Sequence, residues 1–163
     1  MDIFSAENLE IFYQLLVAVA LGAAIGAERR LAQKTAGMRT FALVSMGAAL
    51  FTIISVVAFP EYIGKPGFDP SRIASQNVVG IGFLGAGLIV FTESKVRGLT
   101  TAAGLWVAAA IGMCVGYKLY AIAIFATFLT LLIFLLLWLF EDRLLSRMPL
   151  RLHEEHNGED KED

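Results

Sequence analysis

The chain has 163 residues, of which 57% are hydrophobic, and a formal net charge of −2 at neutral pH. That apolar share exceeds what soluble domains show, so too little polar material is present to cover a soluble fold of this length. The single cysteine provides no disulfide framework, and both histidines lie in the polar C-terminal tail, so no zinc site is indicated. The absence of a basic domain disfavours nucleic-acid binding.

Stretches free of Asp, Glu, Lys and Arg divide the chain into five segments. They comprise residues 11–27, 40–60, 73–92, 98–117 and 119–140, with lengths of 17, 21, 20, 20 and 22 residues. A helix needs roughly 20 apolar residues to cross about 30 Å of hydrocarbon, and lipid offers no partner to free backbone groups. The sequence therefore predicts an all-α integral membrane bundle of about five transmembrane helices over residues 1–140, followed by a partly disordered tail at 141–163.

Lys and Arg residues are distributed unequally between the two sides that these segments define. The side with the N-terminus and the second and fourth connections carries three, Lys65, Arg72 and Lys118, and the other side carries ten. Cytoplasmic loops hold the excess of Lys and Arg in membrane proteins. The pattern therefore predicts an N-terminus outside and a C-terminus in the cytoplasm.

Small residues recur at every fourth position of the first segment, at Ala18, Gly22 and Gly26. Membrane helices associate through close backbone approach at such residues, so we expect this face to pack against another helix. The segment ends at Glu28, a candidate functional residue. Glu28 either pairs with one of two further candidates, Arg39 or Arg97, or is an ordinary boundary residue.

Three polar residues, Arg72, Gln76 and Asn77, stand at the start of the third segment with spacing i, i+4 and i+5. This spacing predicts one polar cluster on one side of a helix. Polar groups within a bilayer are costly and are functional candidates by default. Two interpretations stay open, because the cluster either hydrogen-bonds to neighbouring helices or lines a cavity or binding site.

A glycine-rich run follows, with glycines at positions Gly80, Gly82, Gly85 and Gly87. It matches the G-x-G-x-x-G pattern of dinucleotide-binding proteins, but that pattern requires a preceding strand and an acidic residue about 20 positions later. The sequence offers neither in this segment. Helix packing explains the run better, with Gly82 and Ala86 on one face.

Small residues also recur at every fourth position of the fourth segment, at Gly104, Ala108, Gly112 and Gly116. This face predicts tight packing, either within the chain or in a homo-oligomer. Thr100 and Thr101 are expected to cap the fourth helix with their hydroxyl groups. The fifth segment, rich in Leu and Phe, lacks a small-residue face and is expected to face lipid.

Two short stretches in or beside the first two segments resemble stretches in the third and fourth segments. LGAA at 21–24 resembles LGAG at 84–87, and GMRT at 37–40 resembles GLTT at 98–101. Parallel repeats of this kind occur in membrane proteins. Chance similarity between Gly/Ala-rich segments is the alternative.

Five stretches resemble the MgtC/SapB family of bacterial inner-membrane proteins. They are GAAIGAERR (22–30), AGMRTFAL (36–43), RIASQ (72–76), GIGFLGAG (80–87) and VRGLTTAA (96–103), the last followed by Trp106. The resemblance implies a multi-pass domain of the bacterial inner (cytoplasmic) membrane. It also implies a link to growth in low Mg²⁺ and magnesium homeostasis and, in some pathogens, to virulence.

The resemblance implies a partner as well, because some family members bind and restrain the F-type ATP synthase. Two differences weaken the transfer of the ATP-synthase and virulence roles. The chain ends about 20 residues after the fifth segment, so the soluble C-terminal domain of longer members is expected to be missing. Thr100 stands where virulence-associated members carry Asn.

Two functions from different classes follow. The first is a regulator that acts through helix–helix contacts with another membrane protein, favoured by the small-residue faces and by the lack of carboxylate ligands for Mg²⁺ inside any segment. The alternative is a transporter or channel for Mg²⁺ or another small solute, favoured by the polar residues of the third segment. We expect no enzymatic activity, cofactor or metal site, since no nucleophile–base pair is recognised.

Overall fold

The computed structural model describes residues 5–67, 69, 71–92 and 95–145, with side chains described as far as residue 136 and at 139. In chain order its elements are α1 (Ala6–Leu31), α2 (Met38–Val57), a short 3₁₀ helix (Pro60–Tyr62), α3 (Ser71–Ala86), β1 (Val90–Thr92), β2 (Lys95–Arg97), α4 (Leu99–Gly116) and α5 (Tyr120–Leu145). The predicted all-α membrane bundle of five helices is confirmed. The sides on which the termini lie stay a prediction.

Three helices of the described part, α1, α2 and α4, are long and apolar enough to cross a membrane. The third helix is shorter than the charge-free segment predicts, because it ends at Ala86. There the N–H groups of Leu88 and Ile89 bond to the carbonyls of Gly85 and Ala86 in a tightened last turn. The residues that follow form β1 instead of a further helical turn.

Glycine contacts hold α1, α2 and α4 together. A Cβ atom added to Gly22 would lie 2.6 Å from the carbonyl oxygen of Phe41, and one on Gly26 would lie 2.6 Å from the Cα of Met38. On Gly112 it would lie 2.0 Å from the carbonyl oxygen of Ser45. The three helices therefore pack backbone to backbone, as their small-residue faces predict.

These contacts also fix the relative directions of the helices. Gly22 contacts a later residue of α2 than Gly26 does, so α1 and α2 are antiparallel. Gly112 contacts Ser45 and Gly116 contacts Thr52, so α4 runs in the same direction as α2. The directions of α1, α2 and α4 are thus those expected when consecutive helices cross a membrane in turn.

The third helix packs on one side only, through its buried residues Ala74, Ile81 and Gly85. Ile81 joins a small apolar cluster with Ala48 of α2 and Ala109 of α4. This contact leaves most of the circumference of α3 exposed.

The fifth helix does have a buried face of small residues, so the expectation that it lacks one is wrong. Ala123, Thr127 and Thr130 are buried, while Phe125 and Phe128 are exposed. The hydroxyl of Thr127 donates to the carbonyl of Ala123 at 2.8 Å, so its hydrogen bond is made within its own helix.

The chain divides into two compact units after Leu132. In the described part of the second unit, α5 extends to Leu145. The tail that follows lies outside the described residues.

Candidate functional site

The carboxyl end of α1 carries a partly buried ion pair between Glu28 and Arg29. The guanidinium donates from Nε to Oε2 and from Nη2 to Oε1, the latter at 2.6 Å. Arg29 is only 4% exposed. Of the two alternatives left open for Glu28, the pairing with Arg39 or Arg97 is therefore wrong, because the neighbouring arginine takes both carboxylate oxygens in a bidentate contact.

Arg29 was not among the residues predicted from the sequence. Its signal lies in its position, three residues after Gly26, which places it on the face of α1 that already holds Gly22 and Gly26. A charge on a face of glycines is exceptional, because that face is buried. Periodicity therefore could have selected it.

A cavity of about 380 Å³ opens at the start of α2, lined by Arg30, Gly37, Met38, Arg39 and Thr40. Gly37 is the N-cap residue and offers no side-chain hydrogen bond to the first N–H groups of the helix. The partial positive charge of the helix start adds to the charge of the two arginines. Arg39 thus belongs to an electropositive opening.

The start of α4 differs from the capping predicted for Thr100 and Thr101. Gly98 is the N-cap residue, with φ of 91°, and no side chain caps the helix. A Cβ on Gly98 would lie 2.0 Å from the carbonyl oxygen of Leu88, so both conformation and space require glycine there. Thr100 is exposed and Thr101 buried inside α4, so the predicted cap is wrong. The remaining candidate, Arg97, is exposed at the end of β2.

The predicted polar cluster of α3 is divided between two sides of the helix. Arg72 and Gln76 are exposed, on the side turned away from the buried face. Asn77 is half-buried, and its amide nitrogen has no hydrogen-bond partner among the described residues. The three side chains therefore do not form one site within the chain.

The carboxylate of Asp69 holds the start of α3. Its Oδ1 accepts hydrogen bonds from the backbone N–H and the hydroxyl of Ser71, at 2.9 and 2.6 Å. These bonds, with the nearby charge of Arg72, lower the pKa of the Asp69 carboxyl from its ordinary value. The hydrogen bonds to Asp69 therefore stabilise the first turn of α3.

The glycines of α3 do not play one common role. A Cβ on Gly80 or Gly82 would meet nothing within 4 Å among the described residues, so the predicted packing of both glycines is wrong within the described part of the chain. A Cβ on Gly85 would meet the Cβ of Ala102 at 3.7 Å, an ordinary helix contact. Gly87 approaches only carbonyls of its own helix, the nearer at 3.4 Å.

Together these residues define an unpacked surface, which we name the α3 outer face. It consists of Arg72, Gln76, Val79, Gly80 and Phe83. Val79 and Phe83 are 69% and 81% exposed. The face combines two polar groups, two apolar side chains and an open backbone position.

Gln14 of α1 is a buried polar residue that was also missed. Its side-chain amide donates to the carbonyls of Val115 and Gly116, both at 3.0 Å, and so caps the end of α4. Nearby, Lys118 pairs with Glu10 at 2.8 Å, and this hydrogen bond raises the pKa of the lysine. The sequence could have indicated this role, because Gln14 is a polar amide within an otherwise apolar segment, and such residues are functional or structural candidates.

Glycine-mediated packing of three long apolar helices and apolar outer surfaces define a helical membrane-bundle protein. Residues 15–143 match the model of the MgtC family. The chain therefore belongs to the MgtC family, which confirms the resemblance seen in its glycine and arginine motifs.

Individual relatives extend this finding. The chain is 48% identical over 121 residues to a protein named "Putative magnesium transporter YhiD" of Escherichia coli K12, covering 73% of this chain and 56% of that protein. It is 49% identical over 117 residues to "Protein MgtC" of Salmonella typhimurium LT2, covering 72% and 48%. An uncharacterized protein of Haemophilus influenzae is 38% identical over 133 residues, covering 79% and 56%. The chain thus spans about half the length of the curated relatives it matches, and no solved structure matches it.

Proposed function

We propose that this protein is a regulator of magnesium homeostasis in the bacterial inner membrane, and that it acts through contacts between the α3 outer face and another membrane protein. The observation that carries the proposal is the exposed Gln76 beside the open Gly80. The names of the relatives MgtC and YhiD supply the link to magnesium. The F-type ATP synthase is the candidate partner that family resemblance suggests.

The depth of Gln76 supports a protein partner. Gln76 is the sixth residue of α3, about 7.5 Å along the helix from its first residue. With α3 entering the membrane at its polar start, the amide at that depth would face acyl chains unless another protein covers it. An unpaired amide in an apolar medium costs several kcal/mol, so a partner that hydrogen-bonds to Gln76 is favoured over lipid.

Gly80 supplies the shape for such a contact. It lies one helical turn after Gln76 and has nothing within 4 Å of a Cβ position. Small residues let a second helix approach the backbone closely. Since an interhelical hydrogen bond is worth only about 0.6 kcal/mol on average in membranes, the amide and this close packing must act together.

A photo-crosslinking amino acid at position 83 tests the proposal in native membranes. Phe83 lies in the α3 outer face, and Phe125 of α5, which is 65% exposed, provides a matched control position. We expect a discrete protein adduct from position 83 and none from position 125. Lipid adducts alone from both positions would contradict the proposal, and an adduct of two copies of this chain would replace the heterologous partner with a homo-oligomer.

A transporter is the second candidate, favoured by the amide of Asn77. This half-buried group has no partner among the described residues and lies on the packed side of α3, where a passing solute or its water could bind it. Reconstitution into liposomes containing a Mg²⁺-sensitive dye tests this function. Transport requires a flux above that of empty vesicles that Asn77→Leu reduces, and equal fluxes would eliminate this candidate.

A further inference from the structure

The two strands between α3 and α4 form a short antiparallel ribbon, which we name the β1–β2 ribbon. Val90 pairs with Arg97, Phe91 with Val96, and Thr92 with Lys95. All six residues are exposed, with Phe91 at 78%. The two residues between the strands, 93 and 94, lie outside the described part of the chain.

The register gives the ribbon two different faces. Side chains alternate along a strand and directly paired residues share a face. Phe91 and Val96 therefore form one apolar face. Lys95 and Arg97 lie on the opposite face, with Thr92 and Val90 as their partners. An isolated two-stranded ribbon is marginally stable in water, so a surface that receives both faces would stabilise it.

With the polar start of α3 at one face of the membrane, the length of the helix would place the ribbon in the boundary layer at the other face. Its 16 residues extend about 24 Å, against about 30 Å for the hydrocarbon core. Because α3 starts at the polar Asp69 and Ser71, it ends before the far edge of the hydrocarbon. The base of the ribbon is held there, since Gly98 packs against the carbonyl of Leu88.

We propose that the β1–β2 ribbon is a membrane-interface anchor that binds anionic phospholipid. Phe91 and Val96 enter the boundary between acyl chains and headgroups, and Lys95 and Arg97 bind headgroup phosphates from the other face. Amphipathic elements at the interface bury their apolar side about 5–10 Å deep and gain from anionic lipids. Lys95 and Arg97 outnumber the one carboxylate of the hairpin, Glu93, and this net positive charge selects an anionic lipid over a zwitterionic one. The inference is independent of the α3 outer face and its partner.

Spin labels on the two faces of the ribbon test the proposal in the full chain. In a Cys114→Ala background, which removes the single cysteine, Phe91→Cys and Thr92→Cys each receive a nitroxide. The proteins are placed in nanodiscs of phosphatidylcholine, with or without phosphatidylglycerol. We expect the label at 91 to be accessible to oxygen and shielded from a nickel chelate, and the label at 92 to show the reverse. Equal exposure of both labels to the chelate would overturn the anchor.

Charge removal tests the lipid preference separately. Phosphatidylglycerol should increase the immersed fraction of the label at 91. Lys95→Gln and Arg97→Gln should each lower the equilibrium constant for immersion in these discs by about fivefold. Lys34→Gln, which removes a cation outside the ribbon, should not reduce it. An immersed fraction of the label at 91 that is the same with and without phosphatidylglycerol would refute anionic-lipid binding. Hydrogen exchange of peptides covering 88–98 in the unmodified chain provides a second readout, with slower exchange expected in the anionic discs.

Discussion

Gly112 of α4 lies against the backbone of Ser45 in α2, so closely that a Cβ atom on the glycine would be 2.0 Å from the serine carbonyl oxygen. Ser45 itself is fully buried, and its carbon atoms also line the position next to Gly22. Ser45 of α2 thus contacts both α1 and α4, so the three helices have little room to move apart or together at this crossing.

Replacing Gly112 by Ala should destabilise the bundle by about 1–3 kcal/mol or more, because the extra methyl group forces two backbones apart. Gly47→Ala is the matched control in α2, since a Cβ at Gly47 meets nothing within 4 Å. The control should equal or exceed the wild type, by up to about 1 kcal/mol. Thermal unfolding in detergent measures both, and equal midpoints for the two variants would show that the crossing is looser than described.

Gln14→Leu should cost about 1–3 kcal/mol, because it leaves the carbonyls of Val115 and Gly116 without their buried donor. Leu16→Ala, at a residue 68% exposed, is the control. Chemical denaturation in mixed micelles gives both free energies of unfolding. A loss no larger than that of the control would mean that the amide does not hold α4.

Arg29→Leu and Glu28→Gln should each destabilise the end of α1 by about 1.5–3 kcal/mol. Each substitution removes the charged partner of the other side chain, which then loses its charge-assisted hydrogen bonds. The double variant should lose less than the sum of the two. A double-mutant cycle on unfolding free energies measures this coupling. Strict additivity would contradict the pairing.

The pair between Lys118 and Glu10 predicts an alkaline transition. Because the bond to Glu10 raises the pKa of Lys118 above its ordinary value of 10.5, its stabilisation is fully present below that pH. It is lost as pH rises through the raised pKa. Since both side chains are about half exposed, the effect should be small. Melting curves of wild type and Glu10→Gln should differ slightly at pH 9 and converge above the raised pKa, and a constant difference would refute this assignment.

Helix number and the packing faces of α1 and α4 were predictable, because the absence of charge and the recurrence of glycine are local patterns. The weak internal echo also has a structural counterpart. Gly22 approaches Phe41, four residues after the N-cap Gly37, and Gly85 approaches Ala102, four residues after the N-cap Gly98. The two helical hairpins therefore use the same contact.

The properties that sequence reasoning missed depend on tertiary structure. The outward direction of Gln76 depends on which side of α3 meets α2 and α4. The sequence pattern around Gln76 does not show which side of the helix that is. The partner of Glu28 was left open by the sequence, because arginines at several distances along the chain are chemically equivalent. Gln14 became important only when α1 met the end of α4, one hundred residues later in the chain.

Recovery of a membrane partner from native membranes tests the central claim most directly. Tagged wild type, Gln76→Leu with Gly80→Leu, and the control Gly47→Leu would be purified in mild detergent after their unfolding midpoints are shown to match. If the α3 outer face is the binding surface, one membrane protein should co-purify with the wild type and with the control. That protein should be absent from the preparation of the double variant. Equal recovery with all three proteins would contradict the account.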